Sequence, residues 1–404
     1  MNTRETHTYL ESLISRDFHL ELTAIRDACR AFDDPQRAFP VVHIAGTNGK
    51  GSTAAFTSAI LEANGYRVGL YTSPHLIRVT ERIQINRRPI AEKTLAHLVT
   101  LVRERLGEKM TLGYFELLTL LGFLVFREQK IDIAVMETGL GGRLDATNVV
   151  EPVVTIITPI SFDHQRYLGS TLTHIAREKC GIIKRGVPTV TALQSFEVME
   201  VLRRACDDVG SALCVADPED IQTPLGLPGI HQRQNAACAV EATGILSHAG
   251  FTVTNVDKAL ASTRWAGRLE TLQLKPTILL DAAHNPAGSE TLATYLHEHY
   301  SRERTVLVVG AFADKDIAGI IRPLVPHVRE VICVTAPNPR AASPKDLAAA
   351  ARSFGAKVTI EEEPVKALQR IVKTLKHDET LVVAGSTSVV GMAKQLFGPA
   401  KGKE

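Results

Sequence analysis

The sequence predicts an α/β protein made of two domains. Short apolar runs rich in β-branched residues alternate with segments of helical periodicity along most of the 404 residues, which is typical of a mostly parallel sheet with helical crossovers. The length allows about two or three domains, and a hydrophobic fraction of 45% is enough for a sizeable core. A disordered chain, a fibre and a single small module are therefore excluded.

Apolar runs predict nine strands, which fall into two groups along the chain. The first group is Val41–Ala45, Val68–Thr72, Asp132–Glu137 and Val153–Pro159, and the second is Thr277–Asp281, Thr305–Gly310, Glu330–Thr335, Lys357–Ile360 and Thr380–Ala384. A Pro/Gly-rich stretch at Thr223–Gly229 and the only tryptophan, Trp265, lie between them. We expect the domain boundary near Trp265, which gives an N-terminal domain of residues 1–265 and a C-terminal domain of residues 266–404.

Charge and cysteine content exclude several classes of function. Lys and Arg number 46 and Asp and Glu 44, so a net charge of +2 provides no overall attraction for nucleic acid or anionic lipid. The six cysteines are scattered without a C-x-x-C pair, which argues against a disulfide scaffold and a zinc knuckle. The longest apolar run, Leu117–Phe126, is far shorter than a membrane helix of roughly 20 residues. We expect a soluble, cytoplasmic protein with small-molecule substrates.

A glycine-rich turn follows the first predicted strand and opens a helix, in the segment VVHIAGTNGKGSTAAF that begins at Val41. Backbone N–H groups of such a turn can approach a polyphosphate, Lys50 adds a positive charge, and Ser52 or Thr53 can offer a hydroxyl to Mg²⁺. The pattern departs from G-x-x-x-x-G-K-[ST], because Ile44 replaces the first glycine and Gly51 follows Lys50. We expect ATP or GTP as the ligand, and the alternative is a structural turn with an incidental lysine. A GTPase is disfavoured because the N-K-x-D signature is absent.

Several polar residues follow the predicted strands, where ligands of open parallel sheets bind. Ser73 follows one strand, Glu137 ends another, and Asp163 and His164 follow a third. We expect them to share a crevice with the glycine-rich turn as candidate Mg²⁺ ligands, although the histidine departs from an all-oxygen site. Considered singly, Glu137 could equally cap a strand, and His164 could lie in a surface loop.

The helix predicted after His164 carries a lysine on its apolar face. Lys179 falls on the face marked by Leu172, Ile175, Ala176 and Ile183. Burial disfavours an ammonium and lowers the pKa of a lysine, so a neutral amine would be available to take up CO₂ as a carbamate. The alternative, which the residues alone favour, is a lysine that extends from the edge of the core to solvent.

The motifs of the chain, taken in order, resemble those of a known family. AGTNGKGS, TSPHL followed by RVTERI, METGLGGRLDATN, DHQRYLG, AREKCGIIK, HQRQNA, WAGRLE, DAAHNP and VVGAFADKD occur in the order found in folylpolyglutamate synthase and dihydrofolate synthase, which belong to the Mur ligase superfamily. The resemblance extends over nearly the whole chain. It implies an ATP-binding P-loop domain, a Rossmann-like ligase domain, and an activity that joins L-glutamate to a pterin-linked carboxylate through an acyl phosphate, with ATP and two Mg²⁺ ions.

The resemblance also implies roles for individual residues. It assigns the triphosphate to Gly49, Lys50, Gly51 and Ser52, and Mg²⁺ to Ser73, Glu137 and His164. It assigns other parts of the nucleotide to Asn235, Arg268 and Asp281. It assigns the pterin site to Tyr114, Phe115, Glu116, Leu144, Asp145 and Ala146. Lys179 resembles the lysine that the family carbamylates, and Lys50, His164 and Lys179 are the expected catalytic residues. Gly113 stands where some bifunctional members carry threonine, which removes one possible polar contact to the pterin.

Two other functions remain open at the level of the sequence. One is a Mur-type ligase for a UDP-linked muramoyl precursor, but such enzymes carry an extra domain before the phosphate loop and Lys50 lies near the N-terminus. The other is a nucleotide-binding regulator without catalysis, against which the presence of Lys50, Glu137, His164 and Lys179 argues. We expect a monomer, and the sequence leaves open whether dihydropteroate, reduced folate or both accept glutamate.

Overall fold

The computed structural model describes residues 1–14, 21–107 and 112–398. The chain divides into two compact units: unit 1 comprises Met1–Ser161, Gln165–Gly226 and Gln232–Arg264, and unit 2 comprises Phe162–His164, Leu227–His231 and Trp265–Glu404. The long part of unit 2 begins at Trp265, but two short segments that precede it in sequence also belong to unit 2. A single boundary therefore does not describe the division.

Unit 1 is an α/β layer structure around an eight-stranded sheet. Its strands are β1 (Val41–Ala45), β2 (Val68–Tyr71), β3 (Ile83–Ile85), β4 (Arg88–Pro89), β5 (Ile133–Glu137), β6 (Val154–Ile157), β7 (Thr189–Thr191) and β8 (Leu213–Val215). Its helices are α1 (Thr3–Ile14), α2 (Thr23–Ala31), α3 (Lys50–Ala63), α4 (Glu92–Leu106), α5 (Tyr114–Glu128), α6 (Gln165–Leu168), α7 (Leu172–Cys180), α8 (Phe196–Val209), α9 (His231–Ile245) and α10 (Val256–Ser262).

The strand order of this sheet is β4-β3-β2-β5-β1-β6-β7-β8. Six neighbouring strands of this sheet run parallel, namely β2, β5, β1, β6, β7 and β8. Beyond β2, the strands β3 and β4 extend the sheet as an antiparallel edge. All residues of β1 and β5 are buried, because these strands lie inside the sheet with both faces covered, as β-branched parallel strands require. The carboxyl ends of β2, β5 and β1 are consequently neighbours at one edge of the sheet.

Unit 2 contains a six-stranded sheet in the order β13-β12-β11-β14-β10-β9. Its strands are β9 (Glu270–Leu274), β10 (Thr277–Leu280), β11 (Thr305–Val309), β12 (Glu330–Val334), β13 (Val358–Glu361) and β14 (Thr380–Ala384), and its helices are α11 (Pro286–His299), α12 (Ile317–Ile321), α13 (Pro344–Ser353), α14 (Pro364–Thr374) and α15 (Thr387–Phe397). Only β9 pairs antiparallel in this sheet. Its core forms from the apolar strands together with α11, α12 and α13.

The α/β class and the nine predicted strands are confirmed, with ends that shift by at most two residues. The sequence analysis missed five strands: β3, β4, β7, β8 and β9. Three of these strands lie at sheet edges, namely β4, β8 and β9. Three of them have only three residues each, namely β3, β7 and β8, so their apolar runs are too short to predict a strand. In the described part of the chain, no helix is long and apolar enough to cross a membrane.

Candidate active site

The glycine-rich turn of unit 1 lies between β1 and α3, with Lys50 as the first helical residue. Gly49 has a φ of 89°, in the left-handed region that glycine adopts without strain. A Cβ at Gly49 would lie 2.2 Å from Asn235 Oδ1, and one at Gly46 would lie 1.8 Å from Thr158 Oγ1. Glycine is therefore required at both positions, and the N-terminus of α3 directs its backbone N–H groups toward the turn.

Glu137 and Ser73 meet beside this turn. Glu137 ends β5 with only 4% of its surface exposed, and its Oε2 accepts a hydrogen bond of 3.2 Å from the backbone N–H of Ser73. Lys50 Nζ lies 4.0 Å from Glu137 Oε1 and donates to Thr47 O over 3.1 Å. Three neighbouring strands thus bring together a lysine, a buried carboxylate and a serine, as the strand-end argument predicted.

Lys179 is buried next to the same turn. It lies in the last turn of α7 with 4% of its surface exposed, and its Nζ donates to Gly46 O over 2.6 Å. The apolar-face prediction is therefore confirmed, and the alternative of a side chain that extends to solvent is wrong. The hydrogen bond fixes the Nζ atom at the first glycine of the phosphate loop.

Asn235 reaches the phosphate loop from α9. Its side chain is 3% exposed, its Nδ2 donates to Gln232 Oε1 over 2.9 Å, and its Oδ1 faces the backbone of Gly49. The motif HQRQNA therefore places Asn235 against the loop, and Gln232, one helical turn earlier, accepts from its amide.

The segment from Gly139 to Ala146 forms a loop that contacts both the start of α5 and the end of α7. The Phe115 ring packs on the backbone of Gly139, where a Cβ would come within 2.5 Å of it. Arg143 N donates to Glu178 O over 2.7 Å, and the Arg143 side chain forms a salt bridge with Glu178 at 2.9 Å. The loop therefore connects the Tyr-Phe-Glu segment with the helix that carries Lys179.

The carboxylate of Asp145 organises this loop from inside. It is 3% exposed, and its Oδ2 accepts hydrogen bonds of 2.8 Å from the N–H groups of Gly139 and Leu140. Its Oδ1 accepts from the N–H and the hydroxyl of Thr147, over 3.0 and 2.6 Å. Burial raises the pKa of Asp145, and these four hydrogen bonds act in the opposite direction by stabilising the carboxylate.

His43 completes the same network from the middle of β1. Its Nε2 lies 2.8 Å from Thr147 Oγ1, and its Nδ1 is buried without a hydrogen-bond partner among the described residues. Since the Thr147 hydroxyl proton goes to Asp145, Thr147 must accept from His43, which assigns the proton of the neutral imidazole to Nε2. Burial lowers the pKa of His43 to about 3, so this ring stays neutral at physiological pH.

Two of the other predicted pterin-site residues have contacts that fix their side chains. Glu116 Oε2 accepts from Gly113 N over 2.7 Å and so caps the start of α5. The Arg82 guanidinium lies 5.5 Å from the centroid of the Tyr114 ring, and burial raises the pKa of the Tyr114 hydroxyl. Leu144 is half-buried and Ala146 is buried. The Glu116 carboxylate is thus already hydrogen-bonded to the backbone N–H of Gly113.

In unit 2, Asp163 is the centre of a polar cluster. Its Oδ1 accepts from Lys315 Nζ over 2.5 Å and its Oδ2 from Asn285 Nδ2 over 3.0 Å, while His284 Nε2 lies 3.5 Å from Oδ2. Burial would raise the pKa of Asp163, but the hydrogen bond from His284 and the nearby charges of His164, His284 and Lys315 outweigh it and hold this pKa well below its ordinary value.

His164 lies in this cluster, with a φ of 51°. Its Nε2 is 3.2 Å from Lys315 Nζ, so a cationic donor faces a ring nitrogen of the histidine that we predicted as a metal ligand. We expected Asp163 and His164 to share a crevice with the phosphate loop, whereas their contacts described above lie within unit 2. Among the described residues, no group of three His, Cys, Asp or Glu side chains forms a ready metal site.

Asp281 and Arg268 also belong to unit 2. Asp281 follows β10 and is 8% exposed, and its two oxygens accept hydrogen bonds of 2.9 Å from Leu269 N and Ala283 N. Burial raises its pKa, and the nearby Arg268 charge lowers it. The charge of Arg268 therefore lies close enough to act on the Asp281 carboxylate.

Two domain families match the chain. The "Mur ligase middle domain" matches residues 44–194, which include the phosphate loop, Glu137 and Lys179, and the "Mur ligase, glutamate ligase domain" matches residues 267–387. The folylpolyglutamate synthase of Lacticaseibacillus casei is 33% identical, over 98% of this chain and 99% of that protein. The dihydrofolate synthase/folylpolyglutamate synthase of Bacillus subtilis is 36% identical, over 87% of this chain and 89% of its own.

The chain belongs to the folylpolyglutamate synthase and dihydrofolate synthase family.

Solved structures of this family agree with the fold. Mycobacterium tuberculosis folylpolyglutamate synthase complexed with ADP superimposes with a TM-score of 0.89 at 32% identity, over 98% of both chains. The Yersinia pestis bifunctional enzyme complexed with AMPPNP and a manganese ion gives 0.87 at 28% identity, over 98% of both chains. The family consists of ATP-dependent ligases. Both of these relatives bind a nucleotide, and the Yersinia pestis enzyme also binds a divalent metal ion.

Sequence reasoning missed two sets of polar residues in this family member. Lys315 lies in the motif VVGAFADKD, but no role was predicted for it, so its ion pair with Asp163 was missed. His43 and Thr147 were missed because a single histidine in an apolar strand gives no periodic signal. Only the register of β1 against its neighbours places that ring beside Thr147.

Proposed function

We propose that this chain couples L-glutamate to a pterin-linked carboxylate, which is dihydropteroate, a reduced folyl-glutamate or both. The observation that carries the proposal is the phosphate loop of Gly49 and Lys50 next to the buried carboxylate of Glu137, at the carboxyl ends of adjacent strands. Relatives named for this activity, which match nearly the full length of the chain, support it.

The reaction proceeds in two substitutions. An oxygen of the acceptor carboxylate attacks the γ-phosphorus of ATP, the bond to the bridging oxygen breaks, and ADP leaves. The amine of glutamate then attacks the carbonyl carbon of the acyl phosphate and loses a proton, and phosphate leaves with the electron pair of the C–O bond. No covalent bond to the protein forms, so the chain contributes positioning and neutralisation of charge.

The triphosphate is the proposed ligand of Gly49, Lys50, Gly51 and Ser52. The positive φ of Gly49 and the start of α3 at Lys50 expose consecutive backbone N–H groups, which stabilise negative charge at a helix N-terminus. Lys50 supplies a full positive charge to the transferred phosphoryl group. Its distance of 4.0 Å from Glu137 keeps that charge close to a carboxylate that can also face a metal ion.

Mg²⁺, as two ions, is the proposed metal cofactor, and Ser73, Glu137 and His164 are its proposed ligands. The carboxylate and hydroxyl of unit 1 fit this cation, because Mg²⁺ prefers oxygen donors and Glu137 is held at a strand end next to Ser73. Coordination through His164 Nε2 requires Lys315 to give up its contact of 3.2 Å. When bound, the metal would neutralise charge on the phosphate oxygens.

Lys179 is the proposed site of carbamylation. The neutral amine adds to CO₂ and loses one proton, which gives an N–H group and a new carboxylate at the side-chain end. The Nζ atom of a carbamate retains one hydrogen, so the bond to Gly46 O can persist. The modification would convert a buried cation into an anion beside the phosphate loop, where it could bridge or orient the metal ions.

The acceptor is the proposed ligand of the segments Tyr114–Glu116 and Leu144–Ala146. Phe115 of the first segment packs on Gly139, and Asp145 of the second segment accepts hydrogen bonds from Gly139 N and Leu140 N, so the two segments are linked through Gly139. We further propose that Asn235, Arg268 and Asp281 bind the nucleotide. Asn235 supports this role most directly because it contacts Gly49.

The experiment that tests the function compares two acceptors in parallel. Purified protein is incubated with ATP, Mg²⁺ and L-glutamate, together with dihydropteroate or tetrahydrofolate, and product mass and ADP are measured. We expect an acceptor-dependent product one glutamate heavier and equimolar ADP. Lys50→Ala should abolish both signals, whereas Lys93→Ala, which removes an exposed lysine from α4, should not.

A third arm with a UDP-linked muramoyl acceptor separates the alternatives. Turnover in that arm alone would replace the proposal by the Mur-type ligase. Absence of acceptor-dependent ADP release in all three arms would favour a nucleotide-binding regulator.

We also propose that the protein acts as a monomer in the cytoplasm. All six cysteines are free thiols and five of them are buried, which suits a reducing compartment. Light scattering on the purified protein tests the oligomeric state.

A further inference from the structure

A cavity of unit 1 lies at the edge of the sheet where β1 and β6 begin, opposite the edge where the phosphate loop follows β1. Its lining comes from α2, the turn before β1, the segment before β6 and the loop before β7, and its volume is about 470 Å³. This volume is in the usual range for small-molecule sites. The five residues of β1 separate it from the phosphate loop by about 17 Å.

Positive charge dominates the lining of this cavity, which we call the basic groove. Arg26, Arg30, Arg37 and Lys184 line it together with two carboxylates, Asp34 and Glu151. Asp34 accepts from the Gln36 amide over 3.0 Å, and Arg30 is paired with Asp27 at 2.7 Å. Arg26, Arg37 and Lys184 form no salt bridge with any carboxylate of the described residues. The groove therefore holds cations that no carboxylate of the described residues neutralises by direct contact.

The positive charge of Lys184 is energetically unfavourable in the basic groove. Lys184 is half-buried, and burial together with the nearby Arg26 charge lowers the pKa of its amine, while Glu151 acts in the opposite direction. On an ordinary solvated basic surface, cations can stay apart from one another. Here Lys184 and Arg26 are close enough to repel each other at a partly buried position. An anion in the groove would relieve this repulsion, and arginine side chains can bind phosphate or carboxylate oxygens in pairs.

We propose that the basic groove is a binding site for a small polyanion that carries phosphate or carboxylate groups, separate from the nucleotide site. Its ligands are the side chains of Arg26, Arg37 and Lys184. The carboxylate of Glu151 restricts the site, because it repels anions that fill the groove on that side. The proposal does not depend on the proposed ligase activity.

Titration calorimetry on the full chain with Lys50→Ala tests the proposal, because that background weakens phosphate binding at the phosphate loop. Pyrophosphate and propane-1,2,3-tricarboxylate are titrated separately at low ionic strength without metal. We expect binding of at least one anion, and at least a tenfold loss of affinity when Arg26→Gln and Lys184→Gln are added. The matched control adds Arg203→Gln and Arg204→Gln, which remove two exposed charges from α8.

The outcomes separate clearly. Binding of pyrophosphate alone identifies a phosphate site, binding of the tricarboxylate alone identifies a carboxylate site, and binding of both identifies a general polyanion site. Absence of binding by both anions, or an equal loss in the control variant, overturns the proposal. Thermal unfolding of each variant verifies that a lost signal does not come from an unfolded protein.

Discussion

The hydroxyl of Thr147 donates to the buried carboxylate of Asp145 over 2.6 Å. The same oxygen accepts from His43 Nε2 over 2.8 Å, so one hydroxyl joins the central strand β1 to the loop from Gly139 to Ala146. All three side chains are buried. The loop that is proposed to line the acceptor site is therefore held by a network that solvent does not reach.

Thr147→Val should weaken acceptor binding and lower stability. The valine keeps the shape but leaves the His43 N–H without an acceptor and removes one donor from Asp145, which costs about 1 to 3 kcal/mol of unfolding free energy. We expect a raised KM for the acceptor with little change in the KM for ATP. Thr147→Ser should restore both quantities, and Thr243→Val, which removes another buried hydroxyl from α9, should leave the acceptor KM unchanged. Equal changes in both KM values would contradict the positioning role.

Acidification should destabilise the folded chain through buried histidines. Burial lowers the pKa of His43 to about 3 and that of His231 to about 4, below the ordinary value of about 6.5. Their contribution to stability is complete above pH 6.5 and is lost as the pH falls toward the folded pKa, because only the unfolded chain binds the proton. Each histidine should lower the unfolding free energy by about 1.4 kcal/mol per pH unit in this window.

Urea unfolding at pH 7, 6 and 5 measures this dependence. His43→Gln, whose amide can imitate the Nε2 donor, should reduce the slope of unfolding free energy against pH by up to one proton. A slope equal to that of the wild type would show that His43 takes up a proton in the folded state.

Asp163→Asn should strongly destabilise unit 2. Asp163 and Lys315 have side chains 8% and 7% exposed, and removal of the carboxylate charge leaves a buried ammonium without a counter-charge. A loss of about 3 to 5 kcal/mol is expected, and Asp163→Asn combined with Lys315→Met should recover part of it. Because the pKa of Asp163 is lowered, its contribution is present at neutral pH and is lost below about pH 4, the range of the unfolded carboxyl group.

Chemical unfolding provides the measurement for this pair. The exposed Asp314 of the same unit supplies the control variant Asp314→Asn, which should change stability by less than about 0.5 kcal/mol. A double variant less stable than Asp163→Asn alone would contradict the account of an uncompensated buried charge.

Lys179→Ala should reduce turnover by a factor on the order of 10² or more while the fold remains intact. The reason is the loss of the proposed carbamate, which would stand at the Gly46 carbonyl. Carbon-13 NMR with labelled CO₂ should show a carbamate signal in the wild type that is missing in the variant, and circular dichroism should be unchanged. Activity close to that of the wild type would remove the carbamate from the mechanism.

The sequence predicted the fold class and the strands near the phosphate loop because these are local properties. Apolar runs such as Val41–Ala45 are buried on both faces, so their composition alone marks them. Helical periodicity placed Lys179 on the apolar face of its helix, but the residues alone favoured a side chain that extends to solvent, and its burial is seen only in the structure. The motif order then indicated the family, which the relatives confirm.

Long-range polar contacts were not predictable from the sequence. The pairing of Asp163 with Lys315 spans 152 positions and that of His43 with Thr147 spans 104. Neither has a pattern of spacing, since each depends on which segments the fold of its own unit brings into contact. Edge strands such as β9 were missed because alternate residues face solvent and no apolar run remains.

The transfer of an oxygen atom tests the central claim most directly. The acceptor carboxylate is labelled with oxygen-18, and the released phosphate is analysed by mass spectrometry after turnover with ATP and L-glutamate. The account predicts one labelled oxygen in each phosphate, because the acceptor oxygen becomes the bridging atom of the acyl phosphate and leaves with phosphorus. Unlabelled phosphate from a reaction that still forms the amide would contradict it.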